Sequence, residues 1–203
     1  MMQIVVKDLS KRFNATWIFK DLNYTFETNK SYAIIGHNGS GKSTLIQILF
    51  NYNTFSGGEI AYSINNKIID EHQQQHMAFA APYLDLPEDL TLDELVQFYF
   101  SIRAKRHGVV IDDLIQSANL TPHKQKQIKN YSSGMKQRVK LILAFATEAA
   151  LLLLDEPCSN FDEEGIKWYK QCIDLVKDKS TIIVASNQPY EYEFCHAVLN
   201  IVA

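Results

Sequence analysis

Gly36-His37-Asn38-Gly39-Ser40-Gly41-Lys42-Ser43-Thr44 is the stretch on which the fold turns. The apolar run Tyr32-Ala33-Ile34-Ile35 leads into it, and Leu45, Ile46, Ile48 and Leu49 leave it at helical spacing. A buried strand, a glycine-rich turn and a helix start therefore follow one another. That succession predicts a loop whose backbone N–H groups point inward at a phosphate, helped by the partial positive charge of the helix N-terminus. Lys42 would reach the outer phosphates, and the Ser43 hydroxyl would sit on Mg²⁺. The implied ligand is a nucleoside triphosphate.

Downstream, Leu151-Leu152-Leu153-Leu154-Asp155-Glu156-Pro157 predicts a central parallel strand delivering two acids at its carboxyl end. Ligands of open α/β sheets collect at that edge, so the acids should face the phosphate loop. Asp155 suits Mg²⁺ positioning through water, and Glu156 suits polarising the water that attacks a γ-phosphate. A bland alternative is two acids that merely favour a helix N-terminus. The phosphate loop upstream weighs against it.

The rest of the chain alternates strands and helices. Ile4-Val5-Val6, Trp17-Ile18-Phe19 and Leu22-Asn23-Tyr24-Thr25-Phe26 read as β segments. Ser56-Gly57-Gly58-Glu59 is a turn before the strand Ile60-Ala61-Tyr62-Ser63-Ile64. From about 84 to 129 the pattern is mostly helical, with Leu92, Leu95, Val96, Tyr99 and Phe100 at one helix spacing. Ile111, Leu114, Ile115 and Ala118 form a second, before a Thr121-Pro122 breaker. The α/β pattern then resumes with helices over about 134–147 and 163–176. Strands follow at Thr181 to Ala185 and at Val198-Leu199-Asn200-Ile201-Val202.

With 203 residues, 46% of them hydrophobic, the chain can bury one substantial core. The net charge of −3 carries no electrostatic footprint for nucleic acid. Cys158, Cys172 and Cys195 lack metal-ligand spacing and suit a reducing compartment as small buried hydrophobes. No apolar run approaches the roughly 20 residues that span a bilayer. The expected location is cytoplasmic, with any membrane role supplied by a partner.

Asn130-Tyr131-Ser132-Ser133-Gly134-Met135-Lys136-Gln137-Arg138-Val139 resembles the signature motif of ATP-binding-cassette (ABC) ATPases, usually Leu-Ser-Gly-Gly-Gln followed by Lys-Gln-Arg. With the phosphate loop and the paired acids in the same order, the resemblance covers nearly all the chain. It implies an α/β, P-loop NTPase RecA-like core with an N-terminal antiparallel β-subdomain and an inserted α-helical subdomain. The single domain would span 1–203, its core at about 1–83 and 134–203 and its helical subdomain at about 84–133. It implies that Ser132 and Gly134 cap the γ-phosphate bound to a second copy, sandwiching two ATP molecules head to tail. Phe13 resembles the aromatic that stacks on adenine, with Trp17 as a less favoured alternative; a core aromatic is the plain reading of Phe13. Ser159-Asn160-Phe161-Asp162 resembles the loop that bridges the dimer, Asp162 being its characteristic acid.

The chain departs from the family pattern at two places. Asn187, in Ala185-Ser186-Asn187-Gln188, occupies the switch-histidine position; it donates a hydrogen bond but carries no imidazolium charge. Loss of one such donor costs on the order of 10²–10³ in rate in other enzymes. In Phe79-Ala80-Ala81-Pro82-Tyr83-Leu84, either Tyr83 or Ala81 stands where a glutamine is usual. Ser133 and Met135 also loosen the signature. The resemblance implies the ATP-binding subunit of an ABC transporter, with ATP and Mg²⁺ and a second ATP-binding subunit. It would dock to a transmembrane permease at the inner membrane face, with Phe98, Tyr99 and Phe100 in the docking groove or in the subdomain's own core. Lys42, Glu156 and Asn187 would serve a slow ATPase. The alternatives are an ATP-gated dimerisation switch with little hydrolysis, a soluble ABC ATPase, and a phosphate-loop kinase outside the family.

Overall fold

The structure is a computed structural model that describes residues 1–201; Val202, at the end of the last expected strand, lies outside them. The chain begins with a long hairpin, β1 (Met2–Phe13) and β2 (Thr16–Phe26), closed by a two-residue turn with Asn14 at positive φ. β1 runs far beyond Ile4-Val5-Val6, and the two expected β segments of 17–26 are one strand. Its continuity rests on a bulge that the apolar pattern does not reveal. There Asp8 and Asp21 take positive φ, and Asn23 exchanges hydrogen bonds with Asp8 (3.0 and 2.8 Å).

β3 (Ser31–Ile35) leads through the loop to α1 (Lys42–Leu49), and β4 (Gly57–Ile64) pairs antiparallel with β1. A Cβ on Gly58 would lie 2.5 Å from the Lys7 and Asp8 carbonyl oxygens, so only glycine permits β4 to cross the bulge. β5 (Lys67–Ile68) completes a four-stranded sheet in the order β2-β1-β4-β5. Neither β5 nor β6 (Met77–Ala80) is read from the sequence. β5 is too short for a pattern, and β6 is a brief apolar run that period alone does not type.

The helical segment contains α2 (Leu92–Ile102) and α3 (Ile111–Ser117), followed by 3₁₀ turns at Thr121–His123 and Ile128–Asn130. Thr91 and Glu94 form a reciprocal capping box at the start of α2. α4 (Ser133–Ala146), β7 (Leu151–Asp155), α5 (Glu163–Val176), β8 (Thr181–Ala185), α6 (Pro189–Tyr192) and β9 (Ala197–Asn200) complete the chain. The second sheet is parallel throughout, in the order β6-β7-β8-β3-β9.

β7 is buried on both faces, and its alternation divides the core. Leu151 and Leu153 pack with Leu45, Ile46 and Leu49 of α1 and with Met2 and Ile4 of β1. Leu152 and Leu154 pack on the other side with α4, α5 and the apolar faces of α2 and α3, through Leu92, Leu95, Leu114 and Ile115. The helical segment thus shares the main core. Within the aromatic trio, Phe98 is 55% exposed while Tyr99 and Phe100 are half-buried against that core.

Candidate functional site

The phosphate loop leaves the carboxyl end of β3, the fourth of five parallel strands. Its first turn closes with the Ser40 N–H donating to the His37 carbonyl at 3.0 Å. Gly41 sits at φ 101° against the first hairpin, where an added Cβ would lie 2.3 Å from Ile18 Cγ2. The Lys42 ammonium is buried and donates to the carbonyls of Gly36 (2.8 Å) and His37 (3.2 Å), so it lies across the loop. His37, Asn38 and Gly39 are exposed at the crest, and Ser43 and Thr44 occupy the first turn of α1.

Asp155 ends β7, 1% exposed. Its Oδ2 accepts a hydrogen bond from the Tyr83 hydroxyl at 2.9 Å, and its Oδ1 is buried without a protein partner. Burial pushes its carboxyl above the ordinary carboxylate range. The nearby hydroxyls of Ser43 and Tyr83 pull the other way, and the charge of Glu156 adds to the rise. A buried, unsatisfied carboxylate oxygen beside a hydroxyl is a hard-oxygen pair that fits Mg²⁺, which takes few protein ligands and completes its shell with water and phosphate. Among the described residues no group of three or more His, Cys, Asp or Glu could hold a metal by itself.

Of the two residues offered for the usual glutamine, Tyr83 is the one that meets the site; Ala81 is buried. The Tyr83 ring packs edge-on against Phe79, which in turn packs on Phe50. Burial, and next the Asp155 charge, raise its phenol above the usual tyrosine value, so it stays a donor.

Glu156 takes a positive φ of 41°, with its N–H held by the Ala185 carbonyl at 2.9 Å. The strained turn lifts its side chain from the strand end into a cavity of about 350 Å³. Asn38, Ser159, Asn160, Asn187 and Glu191 also line that cavity. The Asn187 amide donates to Asn38 Oδ1 at 2.9 Å, joining the loop after β8 to the phosphate loop. Lys42, Ser43, Asp155, Glu156 and Asn187 thus gather at one sheet edge.

Ser132, Gly134 and Asp162 lie elsewhere. They line a second cavity with Met135, Arg138, Asn160 and Phe161, sharing only Asn160 and Phe161 with the first. Ser132 caps α4, accepting the Met135 N–H at 3.2 Å. Asp162 caps α5 through the Gly165 N–H at 2.8 Å and pairs with Arg138 at 3.2 Å. Phe13 is 47% exposed near the hairpin tip, which excludes the core reading for it; the Lys11 ammonium lies 4.5 Å from its ring centre. Trp17 opposes Arg12 on the same hairpin.

Sequence reasoning quoted Gln137 without assigning it a role and passed over Glu191. Gln137 is buried and donates to the Pro157 carbonyl at 3.1 Å, so the signature helix touches the loop after the acids. Glu191 is also buried, although it stands among Gln188, Tyr190, Tyr192 and Glu193. The Lys-Gln-Arg run names Gln137 without its contact, and no local signal marks Glu191.

A family model described as ABC transporter matches residues 19–159. The sulfate/thiosulfate import ATP-binding protein CysA of Nitrosomonas europaea is 27% identical over 168 residues, covering 79% of this chain and 46% of its own length. The energy-coupling factor transporter ATP-binding protein EcfA1 of Thermotoga maritima is 26% identical over 209 residues, covering 94% and 74%. The chain therefore spans about half of the first relative and three quarters of the second. A solved ATP-binding subunit of an ABC transporter superposes with a TM-score of 0.82 at 24% identity, covering 98% of this chain and 85% of its own. A dimeric ATP-binding cassette bound to ADP and Pi superposes at 0.80 and 19%, covering 98% and 94%; at these identities the likeness speaks for the fold.

Proposed function

The chain belongs to the ABC transporter family, and from that premise we propose that it is an ATP-binding subunit whose closure on ATP drives a separate membrane protein. The observation that carries this reading is the convergence of Lys42, Ser43, Asp155, Glu156 and Asn187 on one edge of the parallel sheet. Backbone N–H groups of the loop and the start of α1 hold the phosphates, with Lys42 swinging from its carbonyl partners to the outer ones. Ser43 and Asp155 would hold Mg²⁺, which supplies charge neutralisation on the phosphate oxygens when bound. Tyr83 keeps one Asp155 oxygen occupied and the carboxylate oriented. Glu156, raised into the cavity by its backbone conformation, orients and deprotonates the attacking water. Asn187 donates a neutral hydrogen bond toward the γ-phosphate.

Ser132 and Gly134 open on a cavity other than the phosphate loop's own, which supports a site completed by a second copy of the chain. A groove between α2 and α4, lined by Leu84, Leu86, Pro87, Phe98, Tyr99 and Leu143, supports docking of a permease. Among the described residues no helix is long and apolar enough to cross a membrane, in keeping with peripheral attachment through that partner.

Turnover should be slow. The uncharged Asn187 and the tyrosine in place of an amide both weaken stabilisation of the transferring phosphoryl group. Those two substitutions also favour the second reading, an ATP-gated dimerisation switch with little hydrolysis. Glu156 in its cavity weighs for the ATPase. Replacing Lys42 with Ala tests the assignment: ATP affinity should fall by about 10² or more, read by titration calorimetry. Retained micromolar affinity would sink it.

A further inference from the structure

Glu191 is a buried acid that the proposed mechanism does not use. It is 2% exposed, on α6, and the groups acting on it among the described residues are Ser186, Cys158 and Glu156, not a cation. Such a carboxylate is costly to bury, so its contacts must be satisfied. Its two oxygens serve different loops. Oε1 accepts the Cys158 N–H at 2.6 Å, and Oε2 meets the Ser186 hydroxyl.

Each end of this connection is anchored. The Ser186 N–H donates to the Ile34 carbonyl at 3.1 Å, and the Ser186 hydroxyl oxygen accepts the Gln188 N–H at 2.8 Å. The Glu191 carbonyl accepts from the hydroxyl of Tyr169, which is fully buried in α5. Asn187 lies between Ser186 and Gln188, while Cys158 opens the loop that ends at Asp162. The Glu191 side chain therefore joins the loop that touches Asn38 of the phosphate loop to the loop that borders the Ser132 cavity.

We infer that Glu191 is a positioning residue that transmits the placement of residues 186–188, set at the phosphate, to residues 158–162 on the face offered to a second copy. The inference rests on the proposed ATP-binding role. With only two hydrogen bonds between anchored segments, a shift of the first loop moves the second instead of being absorbed by solvent.

Amide hydrogen exchange on the intact chain, with and without AMP-PNP and Mg²⁺, tests it. In the wild type, both 186–188 and 158–162 should change protection on binding. In Glu191→Ala the first response should persist and the second disappear. Steady-state kinetics should show kcat lowered about tenfold or more with KM for ATP within about threefold. Glu191→Gln keeps an acceptor for Cys158 and a polar partner for Ser186, and should restore most of both readouts. Should Glu191→Ala fail to fold, Ser186→Ala cuts the same connection and is read on the same segments. Equal responses of both loops in either cut variant overturn the inference. So does a wild type that binds the nucleotide without any response at 158–162, which leaves the ATP-binding role standing. A wild type that binds no nucleotide overturns both.

Discussion

Asp155 is a carboxylate held where water has been removed, and its placement has a consequence for stability. Its pKa is raised by folding, so as pH climbs past the ordinary carboxylate value the unfolded chain releases its proton first. Stability falls over that interval and stays lowered once the folded-state value is passed. At neutral pH, Asp155→Asn should therefore raise Tm by on the order of 2–4 °C, while Mg²⁺-dependent turnover is lost. The gain should vanish below about pH 3, where the acid is protonated in both states. Calorimetry at the two pH values checks both signs. Asn187 makes a second residue-level case. Its amide already reaches Asn38, so Asn187→His would place there an imidazole donor able to take up a proton and should raise kcat by about tenfold or more in a phosphate-release assay. An unchanged rate would shift the limitation to Tyr83 and its bond to Asp155. Lys42, Ser43, Asp155 and Glu156 were legible as a candidate set because the acids stand at a strand end and Lys42 and Ser43 open the helix after a glycine-rich loop, where local pattern and chemistry coincide. Glu191 was not, because its burial depends on Cys158 and Ser186, distant in sequence from each other.

At the scale of elements, burial on both faces makes β7 and β8 readable as continuous apolar runs. The α2 pattern is readable for the complementary reason, one apolar stripe. The hairpin escapes such reading because its bulge shifts the period at Asp8 and Asp21, and the polar residues there are held by one another. That hairpin also braces the phosphate loop, since Ile18 leaves no room for a side chain at position 41. Gly41→Ala combines a forced contact with a positive φ. It should cost roughly 1–3 kcal/mol, seen as a lower denaturant midpoint, and weaken ATP binding by distorting the start of α1.

Considered as a whole, the chain opens one cavity beside Glu156 and another beside Ser132, which supports the proposed working unit of two copies. Glu156→Gln keeps the shape of the cavity but removes the base. With Mg-ATP it should accumulate as a dimer, eluting from a sizing column near twice the monomer mass, whereas the wild type returns to monomer as ATP is consumed. A variant that stays monomeric at saturating Mg-ATP would tell against the two-copy site, or for closure only on the membrane partner; repeating the run with the co-purified permease separates these. The sequence by itself determined the phosphate loop, the paired acids and the alternation of strands and helices, because each rests on neighbours along the chain. Tertiary structure alone decided that Tyr83 meets Asp155, that Asn187 meets the loop crest, and that Glu191 joins two loops. Those pairings cross the sheet between strands of different order in the chain, and only the β6-β7-β8-β3-β9 stacking brings their ends to one edge.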